Sequence, residues 1–190
     1  MKITPMRTLA TLLSGLYLAC SLPAATVPRP SPEMMIQRYQ QSPMYVSQFK
    51  GKIVALAFIH TTCSHCQELT RVLKVIQKDY AARNVMVVAC AFEEGVAQNF
   101  AGYLKALDPN FPAGIAPQES VMKYLGWDEK RDGPLMVPHI VMLDAKGVIR
   151  GDFDGKDGFY MKMDENVRKE LDKLTKGATA APAKAAPAKK

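Results

Sequence analysis

The sequence predicts an α/β fold with a mixed central β-sheet flanked by helices. Three observations carry that reading. Two unbroken apolar runs, 53–59 and 85–92, have no polar face, so they read as strands buried on both sides. Between them, from Cys63 to Arg83, apolar residues recur at three- and four-residue intervals, the period of a helix lying on a sheet. Later, two shorter apolar runs flank a tight turn, as in an antiparallel hairpin. Strand–helix–strand order implies a right-handed crossover and a parallel pair. The hairpin adds antiparallel strands, which makes the sheet mixed.

Residues 27–32 are proline-rich and read as extended, and Met34 to Gln41 reads as a short helix. Phe49-Lys50-Gly51-Lys52 is a turn leading into the first buried strand, Ile53 to Ile59. In the helix that follows, Leu69, Val72, Leu73, Ile76 and Tyr80 form one apolar stripe, and Asn84 breaks the pattern. Val85 to Phe92 is the second buried strand. Val96 to Leu107 reads as a helix stopped by Asp108-Pro109-Asn110, and Gln118 to Leu125 as a helix closed by Gly126. Ile140 to Asp144 and Val148 to Phe153 are strands around the turn Ala145-Lys146-Gly147. Asp164 to Leu174 is a closing amphipathic helix. No internal repeat is visible.

The 190 residues fit one domain with additions at both ends. Lys2 and Arg7 precede the eleven-residue apolar run Leu9 to Ala19, and small residues follow at Cys20, Ser21, Ala24 and Ala25. A run this short does not comfortably span a bilayer, which takes about 20 residues. Residues 1–25 therefore read as a secretory signal peptide. Leu18-Ala19-Cys20 also resembles a bacterial lipobox, with Tyr17 departing from the usual aliphatic residue. On that reading Cys20 carries a lipid anchor. Residues 26–44 form an N-terminal extension and 45–174 the folded domain. Residues 175–190 end in an Ala/Pro/Lys stretch with no side chain able to build a core, and read as a disordered tail. The net charge of +7 does not mark a nucleic-acid binder. Residues 1–25 and 177–190 hold five of the 25 basic residues and none of the 18 acidic ones, so the body is nearly balanced.

The chemistry lies between the first strand and its helix, at His60-Thr61-Thr62-Cys63-Ser64-His65-Cys66. A helix N-terminus offers unpaired N–H groups and partial positive charge, which favour a thiolate at Cys63. Cys66 lies one turn further in, within reach of a disulfide with Cys63. A thiolate favoured in this way is both an attacking group and a good leaving group. His65, between the cysteines, adds a polar or cationic imidazole that shifts the pair towards being an oxidant. A structural zinc site is the alternative use of such a pair, but it normally needs four ligands. Beyond the signal segment only Cys90 remains, inside the second strand, where it reads as a small buried hydrophobe.

From about 45 to 174 the chain resembles thioredoxin-fold thiol–disulfide oxidoreductases of the TlpA/ResA-like or AhpC/TSA-like branch. The carrying segments are Phe49 to Val54, Cys63-Ser64-His65-Cys66, Val137-Pro138 and Leu143-Asp144-Ala145-Lys146-Gly147. The resemblance implies a three-layer sandwich with a mixed sheet. It implies that Cys63 and Cys66 form a redox-active disulfide, with no other cofactor. It implies that Pro138 is cis and packs beside that disulfide, and that the Val137 backbone meets an extended substrate segment. Cys63, Cys66, Pro138 and His65 are then the catalytic set, and Val137 and Thr62 face substrate. The implied partners are protein thiols or disulfides and a redox donor or acceptor protein, in an exported, periplasmic or otherwise extracytoplasmic setting. The architecture leans towards reduction of particular partners, such as apocytochrome or copper-site cysteines. In an oxidising compartment such a reductase needs a dedicated electron supply.

Three departures from the family accompany this. The buried acid six residues before the first cysteine in thioredoxin is Ala57 here, so a proton acceptor for Cys66 must come from elsewhere. Thr62 stands where tryptophan is common. The three histidines, His60, His65 and His139, flank, split or follow the two motifs. If Pro138 sits against the disulfide, all three gather at one site. That feeds a second reading, copper binding or delivery through Cys63, Cys66, His60 and His139, since thiolate and imidazole suit copper. A third reading is a thiol peroxidase. There His60 stands where the attacking cysteine's threonine is usual, and 53–62 lacks the upstream proline.

Overall fold

A computed structural model describes residues 26–178. The predicted signal segment, with Cys20, and residues 179–190 of the predicted tail lie outside the described residues.

The short strands β1 (Arg29–Pro30), β2 (Met35–Ile36) and β3 (Met44–Tyr45) precede β4 (Ile53–Ile59). Then come α1 (Ser64–Tyr80), β5 (Val85–Ala91), α2 (Val96–Leu107), β6 (Ala113–Ile115) and α3 (Gln118–Leu125). The one-turn α4 (Glu129–Asp132), β7 (His139–Leu143), β8 (Val148–Phe153) and α5 (Met163–Ala178) complete the order. Six strands form the main sheet in the order β1-β8-β7-β4-β5-β6, and β2 pairs with β3 apart from it. The pairs β4–β5 and β5–β6 are parallel, whereas β4–β7, β7–β8 and β1–β8 are antiparallel. The mixed sheet and its flanking helices match the predicted class.

Strand periodicity explains the unbroken apolar run of β4. Its odd residues, Ile53, Ala55, Ala57 and Ile59, enter one core with Leu69, Leu73 and Ile76 of α1, Phe100 of α2 and Val167 and Leu171 of α5. Its even residues, Val54, Leu56 and Phe58, enter a second core with Val121 and Tyr124 of α3 and with Met34, Ile36 and Met44. Every residue of this strand is buried. Asn84 takes a left-handed φ of 59° between the end of α1's helical path and β5, a conformation asparagine tolerates.

The expected helix from Met34 to Gln41 is absent. Met34 and Ile36 are buried while Met35 and Gln37 are exposed, a period of two. Met35–Ile36 pairs with Met44–Tyr45, and Gln37 exchanges two 2.8 Å backbone hydrogen bonds with Ile115 at the edge strand β6. The N-terminal extension is thus woven into the domain at both sheet edges, since β1 pairs with β8. Gly114 permits the approach at the β6 edge, because a Cβ there would lie 2.5 Å from the Gln37 carbonyl oxygen. At the other end α5 runs to Ala178, past the predicted stop at Leu174.

Candidate active site

Cys63 is the N-cap of α1, with extended backbone at φ −75° and ψ 120°. Its Sγ accepts the Cys66 backbone N–H at 3.3 Å, one of the N–H groups that a helix start leaves without an intrahelical partner. The Cys63 N–H donates to the His60 carbonyl at 3.3 Å, and its own carbonyl accepts from Gln67 N–H at 3.0 Å. Cys63 is half-buried and Cys66 fully buried, and both are free thiols. The first cysteine is therefore the accessible one and the second lies behind it.

Burial pushes the Cys66 thiol far above the ordinary cysteine value. A hydrogen bond to the Cys63 side chain and the negative charge of Glu93 push the same way. Tyr103 on α2 is pushed up to about 12, chiefly by burial. Its hydroxyl shares a 2.9 Å hydrogen bond with Thr70, whose hydroxyl also donates to the Cys66 carbonyl at 2.8 Å. Cys90 is buried in β5 and its thiol is also raised by burial. It packs in the second core, on the other side of the sheet from Cys66.

The Val137–Pro138 peptide bond is cis. Because Phe58 pairs with His139 across β4 and β7, Pro138 lies level with the end of β4, the end from which the Cys63 loop rises. Pro138 is buried, and Val137 is partly buried against both cores. Thr62 and His65 are exposed on either side of Cys63.

The three histidines do not gather at one site. His139 is 1% exposed, and its strand neighbours alternate between cores. Its ring turns to the second core, edge-on to Phe58 and Trp127, away from Cys66. His139 Nε2 lies 2.6 Å from Asp152 Oδ1, and Arg29 Nη2 lies 2.7 Å from Asp152 Oδ2. His60 is half-buried, edge-on to Phe92 at 4.7 Å between ring centroids. Burial holds it below the ordinary histidine value, partly offset by Glu93. Among the described residues no group of three or more His, Cys, Asp or Glu side chains is placed to hold a metal ion. The set Cys63, Cys66, His60 and His139 is therefore not brought together, because strand alternation puts its fourth member on the opposite face.

Glu93 escaped the sequence reading. Its Oε1 accepts the Thr61 N–H at 2.7 Å and also the Thr61 hydroxyl, which ties the end of β5 to the loop before Cys63. An acid placed just beyond an apolar strand that neighbours the cysteine-bearing one was the available signal.

Comparison with known proteins places these features. The Redoxin family model matches residues 23–169. A thioredoxin-family thiol:disulfide interchange protein from Chlorobium tepidum superposes with a TM-score of 0.61 at 24% identity, over 78% of this chain and 99% of that one. The thioredoxin domain of a thiol-disulfide oxidoreductase from Bacteroides vulgatus gives 0.62 at 14% identity, over 81% and 99%. An exposed lipoprotein thioredoxin from Streptococcus pneumoniae gives 0.59 at 18% identity, over 75% and 100%. Comparison with curated protein sequences gives no match. With a thioredoxin fold and a family match over most of its length, this oxidoreductase belongs to the Redoxin family.

Proposed function

We propose that the protein is an exported thiol–disulfide oxidoreductase that reduces disulfides of particular protein partners through Cys63 and Cys66. The observation that carries this is the pairing of a half-buried Cys63 at a helix N-terminus with a buried Cys66 one turn behind it. In the reduced protein the Cys63 thiolate attacks a partner disulfide. One partner sulfur leaves as a thiolate, and a mixed disulfide forms. Cys66 then loses its proton and attacks Cys63 Sγ, and the second partner sulfur leaves with its electron pair. The partner gains two electrons and the Cys63–Cys66 pair is oxidised. A donor protein restores the dithiol by the reverse route.

His65, exposed beside the pair, tunes the thiolate. The Val137 backbone and Thr62 receive the partner's extended segment, and Pro138 closes the site against the pair. The apolar run of 9–19 behind Lys2 and Arg7 supports export. No helix among the described residues is long and apolar enough to cross a membrane. The Streptococcus neighbour is named as an exposed lipoprotein, which agrees with an extracytoplasmic setting and with anchoring through Cys20.

The test is the equilibrium potential of the Cys63–Cys66 pair against glutathione or dithiothreitol. A value near that of thioredoxin, about −270 mV, is expected. A value near that of DsbA, about −120 mV, would reverse the assigned direction. Cys63→Ser is expected to abolish turnover of disulfide substrates. Full turnover in that variant would sink the reading.

A further inference from the structure

The dithiol exchange leaves open where the Cys66 proton goes. Burial holds that proton on the sulfur, yet it must leave before Cys66 can attack. The position six residues before Cys63 is Ala57, fully buried in the core beneath α1, and supplies no acid.

Glu93 is placed for the task. It stands two residues beyond β5, whose last residue Ala91 pairs with Ile59 at the end of β4. Its Oε1 is held by both donors of Thr61, two residues before Cys63. Its Oε2 is shut off from solvent and has no hydrogen-bond partner among the described residues. No ion pair neutralises this carboxylate among the described residues. The same residue lines a solvent-open groove with Phe92, Glu94 and Ile115, through which a proton can be exchanged.

Other titratable groups among the described residues also act on Cys66. Cys63 comes from its own helix start, Tyr103 from α2 and Tyr160 from the segment before α5. The His60 backbone also bonds Cys66, and the His60 ring lies within the field of Glu93. Glu93 is the one carboxylate of this set, and no lysine or arginine belongs to it.

Resting on the proposed exchange, we propose that Glu93 is the proton acceptor for Cys66. When Cys66 attacks the mixed disulfide, its S–H bond breaks and the proton passes to the Glu93 carboxylate. The Cys66–Cys63 bond forms, the Cys63–partner bond breaks, and the partner sulfur leaves as a thiolate. On reduction of the pair, Glu93 returns the proton to the departing Cys66 sulfur.

The test follows the reaction of the reduced full chain with 5,5′-dithiobis(2-nitrobenzoate) by stopped flow from pH 5 to 9. Cys20→Ser is carried in every variant so that this thiol is not read. Attack by Cys63 releases one nitrothiobenzoate, and attack by Cys66 on the mixed disulfide releases a second. In the Glu93→Gln variant the first release is expected to keep its rate. The second is expected to slow about 100-fold at neutral pH, the lower end of general-base contributions. Its rate should then rise about tenfold per pH unit, as an unassisted thiol's does, with partial recovery in Glu93→Asp. An unchanged second phase, or one slowed by the same factor at every pH, would overturn the inference. If Glu93→Gln fails to fold, the parent protein still decides. A second phase rising tenfold per unit throughout, with no plateau, would overturn it. Absence of any second release in the parent protein would overturn the dithiol exchange itself.

Discussion

Asp152→Ala is the substitution whose cost the structure defines most closely. The Asp152 side chain is 4% exposed and divides its carboxylate between His139 Nε2 and Arg29 Nη2. Its removal strands two polar heads on one side of the sheet. His139 is 1% exposed, and among the described residues its Nε2 has no other hydrogen-bond partner. The Arg29 side chain is 19% exposed and keeps a 3.3 Å hydrogen bond to the Leu125 carbonyl, so water and that carbonyl recover part of its solvation. Breaking a fully buried pair costs about 3–5 kcal/mol. Partial recovery at Arg29 puts this case at the lower end, about 3 kcal/mol. For a domain of this size that corresponds to a fall in Tm of about 6–12 °C. Asp152→Asn keeps an acceptor for one neighbour and should lose less, about 1–2 kcal/mol. Urea unfolding followed by circular dichroism reads both values. A loss below about 1 kcal/mol in Asp152→Ala would refute the reasoning, because it would mean that the three groups are solvated in the folded protein. It would also remove the account of why β1 stays on the sheet, since Arg29 is one of that strand's two residues.

Two further outcomes follow from other parts of the fold. Burial raises the Cys90 thiol, so the folded state binds that proton more tightly than the unfolded chain does. The resulting stability is fully present below the ordinary thiol value and is lost as pH rises above it. The unsubstituted protein should therefore lose about 1.4 kcal/mol per pH unit relative to Cys90→Ala above about pH 8.5. Parallel unfolding curves of the two proteins from pH 8 to 10 would contradict this. Gly114→Ala should cost about 1–3 kcal/mol by overpacking, because its Cβ would meet the Gln37 carbonyl oxygen at 2.5 Å and Ile36 Cγ2 at 2.7 Å. Thermal unfolding checks it, and a Tm equal to that of the parent would mean that the 36–37 segment does not lie on the β6 edge.

Much of the architecture was legible because single segments encode it. β4 and β5 declare themselves as apolar runs, α1 as an apolar stripe, and α2 and α3 as helical segments with recognisable stops. The elements missed are those that partners create. β6 has three residues, and its place is set by pairing with β5 and by the Gln37 bridge. The segment 34–37 carries both possible signals in four residues, and only its pairing with β3 and β6 shows that the alternation of Met34, Met35, Ile36 and Gln37 is the operative one.

The site divides along the same physical line. Cys63 and Cys66 are three residues apart, so a helix start alone fixes their relation: one sulfur at the cap, the other behind it. His139 shows the opposite case. It directly follows Pro138, and chain adjacency suggested a shared site, but a strand sends consecutive side chains to opposite faces. Ile140 accordingly packs under α1 with Cys66, while His139 turns to Asp152 and Arg29 on the far side. The same alternation applied at the sequence level would have moved His139 out of the cysteine site. Glu93 is harder, because no motif joins it to Cys63 thirty residues earlier. Its relation to Thr61 exists only because β4 and β5 run parallel with their ends in register, Ile59 against Ala91, so that the two following loops meet. An acid missing from the sheet interior at Ala57 and an acid present at the mouth of the neighbouring strand are thus one question, answered by the register of two strands.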